Sequence, residues 1–354
     1  MAAVSPSLMP AAVYVGDGRV EFDEVPRPEP GPDEVLVEIA ACGICGSDLH
    51  MVLEGYARPG SILGHEWSGT VAEAPAGSKW SPGDRVVGDA APGCGTCRPC
   101  RRGRPSVCLH RPSADFGGYR GAFCQYKAVA ADGLLRIPEA LGTRAAALAE
   151  PTAITLHALR LADVRPEDRV LVTGAGPVGL LIVAVLRAQG VADITVSEPS
   201  AVRRQQALAV GAARVVAPDE LEPPPMTLPV AAPFAVAFEC SGHASAAETA
   251  LGQLDYAGTL VIVGTGFDPP RFNQNRMIIF ELEVIGAYNY DDEGFAPAVA
   301  LLGTNSLPFE ALIEPEDIGL GGVMEAMERL ARGEIPSKVM VQPGLAVTGT
   351  GSSS

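Results

Sequence analysis

Residues 169–179 read Arg-Val-Leu-Val-Thr-Gly-Ala-Gly-Pro-Val-Gly, and an apolar run continues to residue 186. A β-branched stretch that ends on glycines and opens an apolar helix is the context in which G-x-G-x-x-G spacing has meaning. Gly174, Gly176 and Gly179 let a tight turn approach a pyrophosphate, and Pro177 and Val178 start a helix whose positive end faces it. Glu198 closes the next predicted strand, 22 residues after Gly176. Its carboxylate can accept hydrogen bonds from both ribose hydroxyls and repels a 2′-phosphate, which favours NAD over NADP. Arg203 and Arg204 pull the other way, since either can reach a 2′-phosphate. Gly264, after the predicted strand 259–263, completes the expected cofactor-binding set.

Outward from this turn, strand and helix signals alternate. Strands are predicted at 193–197, 215–216 and 235–238, and helices at 177–189 and 202–210. Alternation at this spacing indicates an α/β unit with a doubly wound parallel sheet. Residues 222–233 carry five prolines and read as a loop where a crossover helix would otherwise stand. Residues 145–161 read as helix, with Pro151 interrupting it or starting a new one. The first third is different: short β-branched runs at 13–15, 35–39 and 70–73, and a proline-rich turn at 26–32. That suits a β-rich domain. After residue 286 the chain is expected to return to it, with helices at 295–302 and 322–332. The expected division is 1–150, 151–286 and 287–354.

The 354 residues include 26 basic and 42 acidic side chains, a formal charge of −16. Such a surface repels phosphate backbones and anionic lipids, so neither nucleic acid nor membrane is an expected partner. Residues 1–10 lack the features of a secretory signal. The cytoplasm is therefore the expected compartment. Disulfides are rare there, and the eight cysteines are expected to bind metal, do chemistry or pack. Residues 349–354 read as a flexible end.

Cys94-x2-Cys97-x2-Cys100-x7-Cys108 offers four thiolates close enough to wrap one tetrahedral Zn2+. All four positions are sulfur, so the site is closed and structural. Arg98, Arg101, Arg102 and Arg104 in this segment read as a solvated loop. A second set is split: Cys45-Gly-Ser47-Asp48-Leu-His50, then Gly64-His65-Glu66. One thiolate, one imidazole and a carboxylate leave a zinc position open, and open zinc is a Lewis acid.

Together these three signals resemble the zinc-dependent medium-chain alcohol dehydrogenases, in order and spacing, over nearly the whole chain. The resemblance implies a GroES-like catalytic domain, a Rossmann domain, an active site in the cleft between them, and a homodimer or homotetramer. Glu150-Pro151 and Phe238-Glu239-Cys240-Ser241-Gly242 look like the sorbitol and threonine dehydrogenase branch. That branch implies Cys45, His65 and Glu66 as ligands of a catalytic zinc, with Glu150 ligating directly or through water. Two zincs per subunit are expected. The proline-rich segment 222–233 departs from the family's usual connection, and branch membership does not fix the substrate.

The expected reaction is hydride transfer between a secondary alcohol or polyol and NAD(H), giving the ketone. Ser47 is placed to accept the alcohol proton and His50 to pass it to water. Asp48 can fix the tautomer of a ligating imidazole. Trp67, Tyr56 and Tyr119 are candidate pocket walls. His157 reads as an interior histidine; His110 and His243 have no evident partner; Cys42, Cys124 and Cys240 read as small buried residues. Alternatives are an amino-alcohol or cyclitol dehydrogenase, an aldehyde reductase, or a non-catalytic NAD-binding protein.

Overall fold

The computed structural model describes residues 7–88, 93–110, 120–291 and 294–345. Tyr119 and residues 349–354 lie outside them.

Strands Arg169–Thr173, Asp193–Ser197, Arg214–Val216, Phe234–Glu239, Leu254–Ile262 and Glu283–Gly286 form a six-stranded parallel sheet. Counted along the chain, they lie side by side as 3-2-1-4-5-6. The order reverses between the first and fourth strands, and their carboxyl ends open a crevice there. Gly174, with φ +92°, leaves the first strand at this point. A Cβ on Gly179 would stand 2.0 Å from the Gly174 carbonyl oxygen, so only glycine lets the helix start this close to the strand.

Pro177 sits in the first turn of the helix Pro177–Ala188, where its missing N–H costs nothing. Residues 179–186 of this helix are all buried. The sheet covers one side and the helix Ala149–Ala162 covers the other, so the sequence needs no polar face. The predicted helix 145–161 is two helices, Thr143–Ala146 and Ala149–Ala162. Pro151 falls in the first turn of the second, where it is tolerated.

The proline-rich segment is a loop, as its composition predicts. After the turn Pro218–Glu220 no regular element is described until Phe234. A buried arginine holds the loop down. Arg276 donates to the carbonyls of Pro225 (2.9 Å) and Gly252 (2.8 Å), and Gln253 donates to Glu222 O (2.8 Å).

The second sheet is antiparallel and joins Glu34–Gly43, Glu66–Glu73, Arg85–Gly88 and Leu134–Arg136, with Tyr126–Ala130 added against the first. Leu8–Gly16 and Arg19–Pro26 make a separate hairpin. Met340–Val341, from the far end of the chain, pairs with Gly43 and Cys42. The return of the chain to its first sheet thus delivers residues 338–341 beside the Cys45 loop. The helices expected on the way are Phe295–Gly303 and Val323–Ala331.

One buried carboxylate ties distant segments together. Asp291 is 2% exposed and accepts from Ser106 N (3.0 Å), Arg104 Nε (3.0 Å) and Arg160 Nη2 (2.7 Å), with His157 Nδ1 at 3.7 Å. Burial pushes its pKa up, but the Ser106 hydrogen bonds and the His157 and Arg104 charges hold it below the usual carboxylate range. Arg104 therefore differs from the expectation of a plain solvated loop: it anchors the four-cysteine segment to the rest of the fold.

Candidate active site

Cys45 caps the helix Gly46–Leu53, and Glu66 opens the strand that pairs with Gly43. The two elements bring the split motif together. One ligand atom from each of Cys45, His65 and Glu66 lies within 4.8 Å of the others. Sulfur, nitrogen and oxygen donors at such separations fit tetrahedral zinc with a position open.

Asp48 organises the cluster from the first turn of the helix. It is 2% exposed, accepts the N–H groups of Cys45 (2.9 Å) and Gly64 (3.2 Å), and faces His65 Nδ1 at 3.6 Å. That leaves His65 Nε2 on the side of Ser47 Oγ, 3.5 Å away. Burial pushes the His65 pKa down, yet the Asp48 carboxylate and the Cys45 sulfur outweigh it and hold it well above the usual range.

Glu150, in the first turn of Ala149–Ala162, is buried at the same centre but does not join the three-donor cluster. Burial and the Glu66 and Asp48 carboxylates push its pKa up to about 7 against the pull of His65 and Lys338. Cys42 is also outside the cluster; burial keeps its thiol well above the usual range.

The four cysteines of the other loop lie equally close together. Cys97 Sγ and Cys108 Sγ are 3.8 Å apart. Sulfurs at ~2.3 Å from a tetrahedral centre have edges of ~3.8 Å, so the loop fits zinc as it stands. N–H groups of Cys97 and Cys94 donate to Cys94 Sγ and Cys108 Sγ, both at 3.3 Å. Thr96 holds the Cys94 thiol down at about 5, whereas burial and the Cys97 thiol push Cys100 up to about 12. Four thiols this close cannot all ionise without a cation among them.

The crevice of the parallel sheet places Gly174, Gly176, Pro177, Val178 and Gly179 at one strand end and Glu198 at the next. Glu198 is 4% exposed and accepts from Ala175 N and Ser200 N, both at 2.8 Å. Across the crevice, Glu239 accepts from Ser241 N (2.7 Å), Ser241 Oγ (2.5 Å) and Gly242 N (3.0 Å). Gly264 packs on that turn. Arg203 differs from its expectation: Nη2 donates to Leu330 O (3.2 Å) and Ile335 O (3.3 Å), which ties its helix to the carboxyl-terminal segment.

His50 lies one turn beyond Ser47, with Nδ1 2.5 Å from Glu54 Oε1. Its ring meets Phe267 edge-on at 5.5 Å, and Tyr56 stacks on the same phenyl at 5.0 Å. Trp67 is a core residue rather than a pocket wall; its ring fills the space beside Gly88. Cys240 is half-buried. Glu54, Lys338 and Asp291 escaped the sequence reading, and Glu239 entered it only as part of the Phe238–Gly242 motif, with no role assigned. The available signal for Lys338 was a single charge inside the run Ile335-Pro-Ser-Lys-Val-Met-Val.

Residues 31–139 match the alcohol dehydrogenase GroES-like domain and residues 177–304 the zinc-binding dehydrogenase domain. Sorbitol dehydrogenase of Bacillus subtilis is 30% identical over 96% of this chain and 98% of its own. (R,R)-butanediol dehydrogenase of Saccharomyces cerevisiae is 29% identical over 85% and 88%. Among solved structures, a zinc-binding dehydrogenase from Sinorhizobium meliloti 1021 bound to NADP superposes with a TM-score of 0.84 at 29% identity, covering 95% of this chain and all of that one.

Proposed function

From the premise that the chain belongs to the zinc-dependent medium-chain alcohol dehydrogenases, on their sorbitol dehydrogenase-like side, we propose how its residues divide the work. The protein is an NAD(P)-dependent zinc oxidoreductase of polyols or secondary alcohols. The convergence of Cys45, His65 and Glu66 carries the site reading. These three residues would hold the catalytic zinc, with Glu150 beside them to ligate directly or through water. Cys94, Cys97, Cys100 and Cys108 hold the structural zinc. When bound, zinc supplies Lewis acidity and the nicotinamide a hydride acceptor.

The remaining steps belong to side chains. Ser47 Oγ, beside His65, takes the proton of the alcohol. His50, three residues on, shares its face of the helix and passes the proton outward. Glu54 holds the imidazole in place for this. The buried walls around Glu66 and Glu150 keep bulk water away from the transfer.

Glu198 supports NAD over NADP, because a 2′-phosphate would meet a buried carboxylate. A homo-oligomer, dimer or tetramer, is proposed from the outer edge of Glu283–Gly286, the last strand of its sheet, with exposed Ile278 and Tyr288 nearby. No helix of the described residues is long and apolar enough to cross a membrane.

Zinc content per subunit, with NADH and NADPH fluorescence titration and a panel of polyols and secondary alcohols, tests the whole reading. Two zincs per subunit, tighter NADH and turnover of a panel member are expected. One zinc that survives Cys94→Ser but not Cys45→Ser would remove the structural site. Tighter NADPH would reverse the cofactor assignment.

A further inference from the structure

Lys338 is 1% exposed, and its Nζ stands 2.7 Å from Oε1 and 2.6 Å from Oε2 of Glu66, itself wholly buried. It also donates to Ile44 O at 3.0 Å. The lysine arrives from the far end of the chain. Met340–Val341 pairs with Gly43 and Cys42, and Ile44 N donates to Val339 O. Gly43 leaves the room it needs: a Cβ there would stand 2.3 Å from Glu66 Oε2 and 3.0 Å from Lys338 Cδ.

Burying an ammonium is unfavourable unless it is paired, so its placement against this carboxylate is not a default of packing. The negative groups that act on it are Glu66, Cys45 and Glu150. These are all the anionic groups assigned to the centre apart from Asp48, which faces His65 from the other side. One thiolate and two carboxylates outweigh a divalent ion by one charge, and Lys338 offsets that charge.

We propose that Lys338 is a positioning residue of the catalytic metal centre: it fixes the plane of the Glu66 carboxylate and supplies the positive charge that lets Cys45, Glu66 and Glu150 stand together. The inference rests on the ligand assignment above. Partners that orient a metal ligand typically contribute about 10–100-fold in metal affinity.

Co2+ titration of the metal-depleted full-length protein tests it, with absorption spectra and chelator competition for wild type, Cys45→Ser, Lys338→Met, Lys338→Gln and Lys338→Arg. Wild type is expected to show one class of site that Cys45→Ser lacks. In Lys338→Met that class weakens by about 10–100-fold and its ligand-field band changes, while the four-cysteine signal stays. Lys338→Arg recovers part of both. Where Lys338→Met does not fold, Lys338→Gln, which keeps a donor without the charge, carries the same comparison. Wild-type Co2+ affinity and spectrum in the neutral variants, whatever their melting temperature, would reduce Lys338 to packing. Identical titrations of wild type and Cys45→Ser would instead overturn the ligand assignment, and this inference with it.

Discussion

Asp48 Oδ1 stands 3.6 Å from His65 Nδ1, while the same carboxylate accepts the N–H of Cys45 and of Gly64. One short side chain thereby fixes the backbone of one proposed ligand and the ring of another. Asp48→Ala removes all three contacts. We expect the metal affinity of the Cys45 site to fall by about 10–100-fold, with the four-cysteine site unchanged. Chelator competition on the two sites measures this.

The same centre makes metal retention depend on pH. His65 is held well above its usual range, and Glu150 is pushed up to about 7 from an ordinary 4.5. Both folded-state pKa values are raised. In the metal-free protein the contribution of each to stability is present at low pH and is lost as pH rises through its folded value. Metal binding runs the other way, since it needs the deprotonated site. Zinc retention against a chelator is therefore expected to fall as pH drops from about 8 to about 6. Flat retention across that window would contradict the placement of these groups.

Asp291 gathers Arg104, Ser106 and Arg160 from two segments. Asp291→Asn keeps the shape but leaves the two guanidiniums without their anion. A loss of about 2–3 kcal/mol is expected, read from the urea midpoint at constant slope. Because the Asp291 pKa is lowered in the fold, the wild-type contribution is present at neutral pH and disappears as pH falls through that lowered value. The variant should lack that acid-side decline.

Glu198 holds Ala175 N and Ser200 N with its two oxygens. Glu198→Gln keeps the size and removes the charge. NADH affinity is expected to fall by about tenfold or more, and the preference for NADH over NADPH to narrow. Nucleotide fluorescence titration reads both.

Gly179→Ala drives a methyl to within 2.0 Å of the Gly174 carbonyl. The helix must retreat from the strand, at a cost of about 1–3 kcal/mol. Loss of nucleotide binding with both metal sites still filled is the expected pattern.

The sequence by itself determined whatever depends on neighbours along the chain. Gly174–Gly179 lies within one strand, turn and helix, and Cys94–Cys108 within one loop, so local spacing carried their geometry. The proline-rich segment was legible for the same reason: proline forbids a crossover helix without reference to any partner. Glu66 was legible beside His65 in the split motif, whereas Glu150, 84 residues further on, was legible only through resemblance. Tertiary structure alone decided the rest. It placed Lys338 on Glu66 across 272 residues, Asp291 on Ser106 across 185, and Arg203 on Ile335 across 132. Periodicity says which face of an element is apolar, but pairing in a sheet is set by register over long loops. A buried charge is stable only where folding supplies its counter-ion, and no local pattern encodes where that partner arrives.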